Sequence, residues 1–334
     1  MSTLQKLTTL KKGMNRKLII SLLLLLALAI IALVVLDLRR SRTDRRPDNP
    51  YNLDLEEFSA VDSSLIGYRE TLNIKLDTTT KKGIAFGDGK ILLVGNDYLL
   101  VITPDGERVG KTILPESPSC ITVLYPDIYI GFSNAIRVYD PSGNEKASWP
   151  VEGDSSLLTS LAVGDSFLYA ADAGNRRVLR YRTDGAFLGA FEGRRESADL
   201  HGFIIPSGWF DLALASDGEL WIVNPGRHAL ENYTPEGRLR GYWEKGSTGI
   251  DGFSGCCGPA HIAMLPDGSF VTSEKGIVRI KVHRQSGDLD CVVAPPASFK
   301  NGYYAPDLTV GERGEIYALD FDRQRIRIFE RRER

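Results

Sequence analysis

Short apolar runs separated by tight turns recur along most of the chain from about residue 81 onward. Each unit has an apolar run, an Asp-Gly-type turn, a second apolar run, and two further strand-like runs joined by another turn. Runs such as IRVY (136–139) and IVRIKV (277–282) alternate apolar and polar residues, as half-buried β-strands do. Glycine in the turns supplies the positive φ that a tight hairpin needs. The pattern therefore predicts antiparallel strands throughout this region.

The unit occurs six times, and a period of roughly 40–50 residues is typical of a β-propeller with four-stranded blades. We therefore predict an all-β, six-bladed β-propeller. A single β-sandwich is the alternative, and it accounts less well for the regular spacing. The first turns of the units are Asp88-Gly89, Pro126-Asp127, Gly164-Asp165, Asp217-Gly218, Asp267-Gly268 and Arg313-Gly314. The predicted blades span residues 81–116, 118–152, 157–193, 210–246, 259–295 and 305–334.

The last predicted blade has only three strands before the sequence ends at Arg334. A strand-like run at residues 66–76 precedes the first blade and belongs to no unit. We predict that this run pairs with the last blade and closes the ring. Closure would remove an exposed sheet edge, which otherwise favours aggregation.

The N-terminal region has a different pattern. Residues 18–36 are nineteen consecutive residues without a charge, and a helix of that length is about 28 Å long, close to the hydrocarbon thickness of a bilayer. A cleaved signal peptide would have a shorter apolar region and a small-residue cleavage site. A buried core helix is the other alternative, but uniform apolarity with basic flanks argues against it. We predict an uncleaved transmembrane signal anchor.

The predicted organisation is a cytoplasmic N-terminus (1–17), the anchor (18–36), a linker (37–60) and the propeller (61–334). Five basic residues lie near each end of the span, so the positive-inside rule does not decide its orientation. Long C-terminal domains cross membranes largely regardless of charge, and adjacent cysteines suit an oxidising compartment. We therefore expect a single-pass membrane protein whose propeller is periplasmic or extracellular.

The composition excludes one class of partner. Of the 334 residues, 43% are hydrophobic and 25% are charged, and the formal net charge is −2. These values are ordinary for a globular protein, and no basic field of the kind that binds nucleic acid dominates. We expect no nucleic-acid partner.

Two loops resemble those of a known family. The run DAGNRRV (172–178) and the run DFDRQRIRIF (320–329) are similar to the loop between the second and third strands of NHL-repeat propellers. The resemblance covers about three quarters of the chain and implies the same six-bladed fold. Residues 203–275 also resemble a subset of membrane-anchored bacterial propellers with a vicinal Cys-Cys pair, to which no established activity is attached.

The inner strand of each blade lines the central channel of a propeller. Alignment on the first turns places Asp211, His261 and Asp307 near the same end of this strand, together with Cys120, Gly83 and Ser160. Carboxylates and imidazole are usual ligands of a divalent metal, and they can also form an acid–base pair. The alternative is a water-filled channel whose polar residues satisfy one another. No cofactor is firmly predicted.

Cys256 and Cys257 lie in the turn that enters the fifth blade. They could form a vicinal disulfide that stiffens the turn, a redox or ligand-contacting element, or part of a metal site, although structural metal sites need more widely spaced cysteines. One of them could instead pair with Cys120 or Cys291. Cys120 is expected on an inner strand and Cys291 on an outer strand, so these two are not expected to meet.

The loops after the second strands of blades 4 and 5 contain four candidate binding residues. Arg227 and His228 are in the first loop, and Glu274 and Lys275 are in the second. Loops on a rigid scaffold often carry function, and an arginine suits carboxylate recognition, so we predict a charged binding face. A solvated loop is the alternative. The insertion at 193–209 either caps one channel mouth or serves only as a packed connection.

The leading functional hypothesis is a binding or scaffolding propeller that recognises a protein, peptide or glycan. The alternative is a hydrolase or lyase with a divalent metal at the channel mouth, where His261 is a ligand and Asp211 or Asp307 is a ligand or base. The sequence contains no Gly-x-Ser-x-Gly, phosphate-loop or His-Glu-x-x-His motif.

Overall fold

The computed structural model describes residues 16–43, 60–76, 81–153, 155–193, 202–255, 258–299 and 304–333. Cys256 and Cys257 lie outside the described residues. The chain divides into two units, residues 1–54 and 55–334, which are considered separately.

The N-terminal unit contains the helix α1, Arg16–Thr43. All side chains described in it, those of residues 20–36, are exposed. The helix expected from the apolar run is therefore present. Within the described part of the chain, no helix has the length and apolarity required to cross a membrane.

The described strands of the second unit form six four-stranded antiparallel sheets. Strand β1 is Tyr68–Lys75. Blade 1 contains β2 Lys81–Gly87, β3 Lys90–Gly95, β4 Tyr98–Ile102 and β5 Arg108–Ile113. Blade 2 contains β6 Cys120–Leu124, β7 Asp127–Gly131, β8 Ala135–Tyr139 and β9 Glu145–Pro150. Blade 3 contains β10 Leu158–Val163, β11 Phe167–Asp172, β12 Arg177–Arg182 and β13 Phe187–Phe191. Blade 4 contains β14 Leu212–Leu214, β15 Leu220–Asn224, β16 Ala229–Tyr233 and β17 Leu239–Glu244. Blade 5 contains β18 His261–Met264, β19 Phe270–Ser273, β20 Ile280–His283 and β21 Leu289–Ala294. Blade 6 contains β22 Asp307–Val310, β23 Ile316–Asp320, β24 Arg325–Arg331 and, at its outer edge, β1.

The ring closes as predicted. Strand β1 pairs with β24 along its length, so the run that precedes the first blade supplies the outer strand of the last one. Glu70 of β1 also accepts a 2.6 Å hydrogen bond from the Arg327 guanidinium of β24. The inner strands lie side by side in blade order, and β22 of the last blade lies beside β2 of the first. The six-bladed propeller is confirmed, and the β-sandwich alternative is wrong.

Two structural features explain why this sequence forms blades. The predicted turn glycines adopt left-handed backbone conformations, with φ of 85° at Gly218 and 81° at Gly268, which other residues adopt only with strain. The apolar side chains pack between neighbouring sheets rather than around one centre. Trp149, for example, lies between Tyr129 and Tyr181, with ring centroids 5.7 and 5.9 Å away. Middle strands are therefore buried on both faces.

Candidate ligand site at the channel mouth

Three polar side chains meet at one mouth of the channel because each comes from the start of an inner strand. Asp211 directly precedes β14, His261 begins β18 and Asp307 begins β22. The repeated strand order of the blades places these positions at the same end of the ring. The structure therefore brings together the three residues that the alignment of first turns selected.

The imidazole of His261 lies between the two carboxylates. Its Nδ1 is 3.2 Å from Asp211 Oδ2 and 3.3 Å from Asp307 Oδ1. The side chains of His261, Asp211 and Asp307 are only 13%, 10% and 18% exposed. Since an ionised carboxylate can only accept, Nδ1 carries a proton and donates to Asp211 Oδ2, with Asp307 Oδ1 close beside it.

The carboxylates also connect neighbouring blades. Asp211 accepts hydrogen bonds from Leu212 N at 2.8 Å and from Ile262 N of the next blade at 2.9 Å. Asp307 similarly accepts from Leu308 N and, across the closure of the ring, from Ile84 N at 3.0 Å. The channel residues thus satisfy one another in part, and the two aspartates have a structural role whatever else they do.

The charges shift one another's titration. Burial works to lower the pKa of His261, but the charge of Asp307 and the hydrogen bond and charge of Asp211 outweigh burial, so its pKa is raised. Burial is the main cause that raises the pKa of Asp307 to about 6, with Asp211 adding to it and His261 opposing it. The other ring nitrogen, His261 Nε2, is buried and has no hydrogen-bond partner among the described residues.

A cavity of about 490 Å³ lies against His261, and we call it the mouth cup. Its lining residues are Lys82, Ser119, Leu157, Leu158, Thr159, Gly208, Trp209, Phe210, His261, Tyr304, Phe321 and Asp322. Trp209 meets the His261 ring edge-on at 5.1 Å. Tyr304 lies 6.4 Å from Trp209 and 6.3 Å from Phe321, between ring centroids. The mouth cup thus has aromatic residues around an imidazole.

The insertion before blade 4 supplies Trp209. A buried hydrogen-bond network holds its described part: Asn224 accepts from Ile204 N at 2.9 Å and donates to Gly202 O at 3.2 Å and to Glu231 at 2.8 Å. This network fixes the backbone just before Trp209. The end of the insertion, at Gly208 and Trp209, therefore lines the mouth cup.

Cys120 lies deeper, in the wall of a channel cavity of about 250 Å³ that the inner strands line. Its sulfur is 3.7 Å from Ser119 Oγ. Burial raises the pKa of the Cys120 thiol to about 12, so it is a neutral thiol rather than a nucleophile. Cys291 is on the outer strand β21 of blade 5, so the two cysteines lie on an inner and an outer strand of different blades.

The charged face predicted for blades 4 and 5 requires a correction. Arg227 pairs with Glu244 at 2.9 Å, His228 Nδ1 lies 3.0 Å from Gly258 O, and Lys275 is half-buried. Glu274, however, is fully buried. It cannot contribute to a surface, because its carboxylate pairs with Arg279 and Lys281 inside the blade.

Asp211, His261 and Asp307 could hold a divalent cation, since one ligand atom of each lies within 4.8 Å of the others. The aromatic lining was not predicted, apart from the insertion with Trp209. Tyr304 and Leu157 precede inner strands just as Trp209 does. The connections between blades differ in length, so no repeat pattern reveals these positions.

The comparisons with known proteins support the fold. No protein-family profile and no curated protein matches the chain. A solved streptogramin B lyase is 14% identical with a TM-score of 0.57, covering 81% of this chain and all of the other. A catalytically inactive histidine-to-alanine variant of virginiamycin B lyase from Staphylococcus aureus, with quinupristin, is 18% identical (TM-score 0.55; 79% and 88% covered). The WD40 β-propeller domain of Doa1 is 13% identical (TM-score 0.54; 80% and 98% covered). Identities this low show a shared propeller fold alone, and membership of the NHL family stays a prediction.

Proposed function

We propose that this chain is a binding propeller that holds a small molecule, or the end of a peptide or glycan, in the mouth cup. One observation carries the proposal: an aromatic-lined cavity of about 490 Å³ lies against His261, whose buried Nε2 has no hydrogen-bond partner among the described residues. Ligand pockets usually have about this size and combine apolar walls with a few placed polar groups. This site replaces the blade 4–5 loops as the binding surface.

The energetics favour a ligand at this point. A buried polar atom without a hydrogen bond costs about 1–3 kcal/mol. A ligand that moved the neighbouring side chains enough to bond to His261 Nε2 would recover this cost. Its contact with Trp209, Tyr304 and Phe321 would bury apolar surface at the same time. Proteins often keep such an unfavourable arrangement where function requires it.

The proposal places the propeller outside the cytoplasm on a membrane anchor. Large apolar side chains such as Leu33, which is 67% exposed, cover the N-terminal helix, and a surface of this kind needs an apolar surrounding. Alkaline extraction of membranes and protease accessibility of the propeller test this part. Release by alkali contradicts the anchor, and protection in intact spheroplasts contradicts the orientation.

An acid–base enzyme is the second candidate, and the pairing of His261 with two carboxylates favours it. A carboxylate that holds Nδ1–H leaves Nε2 free to take or give a proton, as in catalytic dyads. The virginiamycin B lyase variant among the structural neighbours has a histidine replaced by alanine and is catalytically inactive, but that statement concerns the lyase. A hydrolase or lyase that uses a metal held by the same three residues is a version of this candidate.

Ligand-observed NMR with the full-length chain in a maltoside detergent tests the binding proposal. The library contains small organic molecules, dipeptides and short glycans. We expect hits whose binding is lost in Trp209→Ala and His261→Asn and kept in Phe187→Leu, a control on the outer strand of blade 3. Hits that bind all variants equally contradict the mouth cup. Conversion of a hit by the original chain, but not by His261→Asn, favours the enzyme.

A further inference from the structure

We propose that the mouth cup recognises a positively charged organic group, an ammonium carried on an apolar or aromatic body. The juxtaposition of two buried carboxylates, one imidazole and three aromatic residues points to this ligand class. The inference rests on the mouth cup being a ligand site, and it adds the charge and chemistry of the ligand.

An excess of negative charge lies directly behind His261, where Asp211 and Asp307 line the channel cavity next to the mouth cup. Among the described residues, His261 is the only ion-pair partner of Asp211 and Asp307. Their other partners are the backbone N–H groups of the inner strands, which are neutral. With both carboxylates ionised, one imidazole therefore leaves a net charge of minus one when it is protonated and minus two when it is neutral. Opposite charge in a ligand would offset this imbalance.

The walls suit a cation as well. Aromatic rings attract ammonium groups through their electron-rich faces, and cages of such rings bind organic cations. Trp209, Tyr304 and Phe321 line the mouth cup, and Trp209 directly contacts the His261 ring. His261 lines the mouth cup while its Nδ1 contacts both carboxylates, so the negative charge lies one side chain away from the aromatic walls.

The cationic residue at the rim does not reverse this polarity. Lys82 lines the mouth cup, but its side chain is exposed and its ammonium donates to Ser117 Oγ at 2.9 Å. Water and salt screen exposed charges much more than buried ones.

A divalent metal alone fits less well. Both carboxylates already accept backbone hydrogen bonds, and His261 directs Nδ1 rather than Nε2 toward them. A metal between these groups would displace the Nδ1 proton and leave Nε2 without a partner. An ammonium held in the mouth cup keeps the hydrogen bonds that connect the blades.

Three probes with the same ring and different charge test the inference: benzylamine, benzyl alcohol and benzoate. Binding to the full-length chain in maltoside is measured by calorimetry at neutral pH. We expect benzylamine to bind about tenfold or more tightly than benzyl alcohol, which corresponds to about 1.4 kcal/mol, the order of one desolvated cation–π contact. Benzoate should bind most weakly. Asp307→Asn should reduce the preference for benzylamine while benzyl alcohol is little affected, and Tyr304→Leu should weaken benzylamine. Phe187→Leu, an equally exposed aromatic elsewhere, should change nothing.

The outcomes separate this inference from the function on which it rests. Equal binding of all three probes, lost in Tyr304→Leu, overturns the preference for positive charge but leaves the mouth cup as a ligand site. Tighter binding of benzoate has the same meaning. No binding of benzylamine up to its solubility limit overturns the inference, and library hits insensitive to Trp209→Ala would overturn the ligand site itself. Stoichiometric Mn²⁺ or Zn²⁺ that is lost in His261→Asn and blocks benzylamine assigns the site to a metal instead.

Discussion

Replacement of Glu274 by glutamine should strongly destabilise blade 5. The Glu274 carboxylate lies 2.8 Å from Arg279 Nε and 2.7 Å from Lys281 Nζ, and all three side chains are at most 1% exposed. Arg279 also donates to Gly249 O and Gly252 O, at 3.0 and 2.9 Å. One buried carboxylate therefore balances two buried cations that hold the segment leading to His261. Glu274→Gln keeps the shape and leaves both cations without a counter-charge.

The magnitude follows from the distances and the burial. At an effective dielectric constant of about 20, the attraction between unit charges 2.7 Å apart is about 6 kcal/mol. Removal of the carboxylate also removes the cost of burying it, which offsets part of this attraction. Loss of one partner from a buried ion pair typically costs about 3–5 kcal/mol. We expect Glu274→Gln to lower the free energy of unfolding by this amount.

The deficit should depend on pH in a defined direction. Burial, with a contribution from Arg279, lowers the pKa of Lys281 to about 8, and Glu274 opposes this shift. Without Glu274 the pKa of Lys281 falls further. The pH range in which the unfolded state binds more protons than the folded state then extends further below pH 8. Stability rises with pH across this range. Glu274→Gln should therefore be more harmful at pH 6 than at pH 9, where Lys281 is already neutral.

Urea unfolding of the full-length chain in maltoside measures the effect, with tryptophan fluorescence as the signal. Trp243 is a local reporter, because it stacks on Phe253 at 5.4 Å. Lys281→Met is the matched comparison: it leaves one carboxylate facing one cation and should cost clearly less than Glu274→Gln. A loss below about 1 kcal/mol for Glu274→Gln, typical of an exposed pair, would refute the reasoning. So would a deficit that grows as the pH rises.

Three further predictions concern stability. Burial, with Lys281 adding to it, lowers the pKa of His283 to about 3, below the unfolded value of about 6.5. Between these pH values the unfolded state therefore binds a proton that the folded state does not, so acidification lowers the free energy of unfolding by up to about 1.4 kcal/mol per pH unit. His283→Phe should remove this loss of stability. Unchanged pH slopes in urea titrations would contradict the prediction. Asn224→Leu removes the acceptor of Ile204 N, so we expect about 1–3 kcal/mol of destabilisation and faster proteolysis near residues 202–208, whereas an unchanged digestion pattern would show that the network does not hold the insertion. A Cβ at Gly174 would overlap the Ser155 carbonyl oxygen, whereas one at Gly110 meets nothing. Gly174→Ala should therefore cost about 1–3 kcal/mol or more of stability and lower the melting temperature, and Gly110→Ala should not. Equal melting temperatures for the two variants would argue against the clash.

The fold could be predicted because propeller blades repeat local signals. Each turn needs a residue that tolerates positive φ, and the Asp-Gly pairs at Gly218 and Gly268 can be recognised as such turns in the sequence. Regular spacing between such turns fixes the number of strands in a blade. Ring closure could be predicted from the run at 66–76, which belongs to no unit. An unpaired strand of this kind pairs with an exposed sheet edge, here the outer edge of the last blade.

The burial of Glu274 could not be predicted from the same pattern. Arg279, Lys281 and His283 alternate with apolar residues, which in a sheet with one wet face would direct them to water. In this propeller both faces of a middle strand are covered by neighbouring blades, so the polar face is buried too. Only the three-dimensional pairing shows that Glu274 compensates Arg279 and Lys281. Period-two alternation therefore identifies the strand, but it does not identify which face of the strand is exposed to solvent.

The candidate site was predictable where it follows the repeat and hidden where it does not. Asp211, His261 and Asp307 occupy equivalent positions of three inner strands, and alignment of the turns finds them. Trp209 and Tyr304 lie in connections before inner strands, where length and composition vary from blade to blade. All connections that enter inner strands end at the same mouth, so these variable segments surround the invariant geometry of the ring.

This division gives the two parts of the site different freedom to change. The aspartates cannot be replaced without cost, because each joins two neighbouring blades through backbone hydrogen bonds. Their negative charge and their hold on His261 Nδ1 are therefore coupled to the integrity of the ring. For the aromatic residues Trp209 and Tyr304 the structure shows ring contacts and a place in the lining of the mouth cup. The ring thus sets the electrostatics of the mouth cup, and the connections set the shape that a ligand must match.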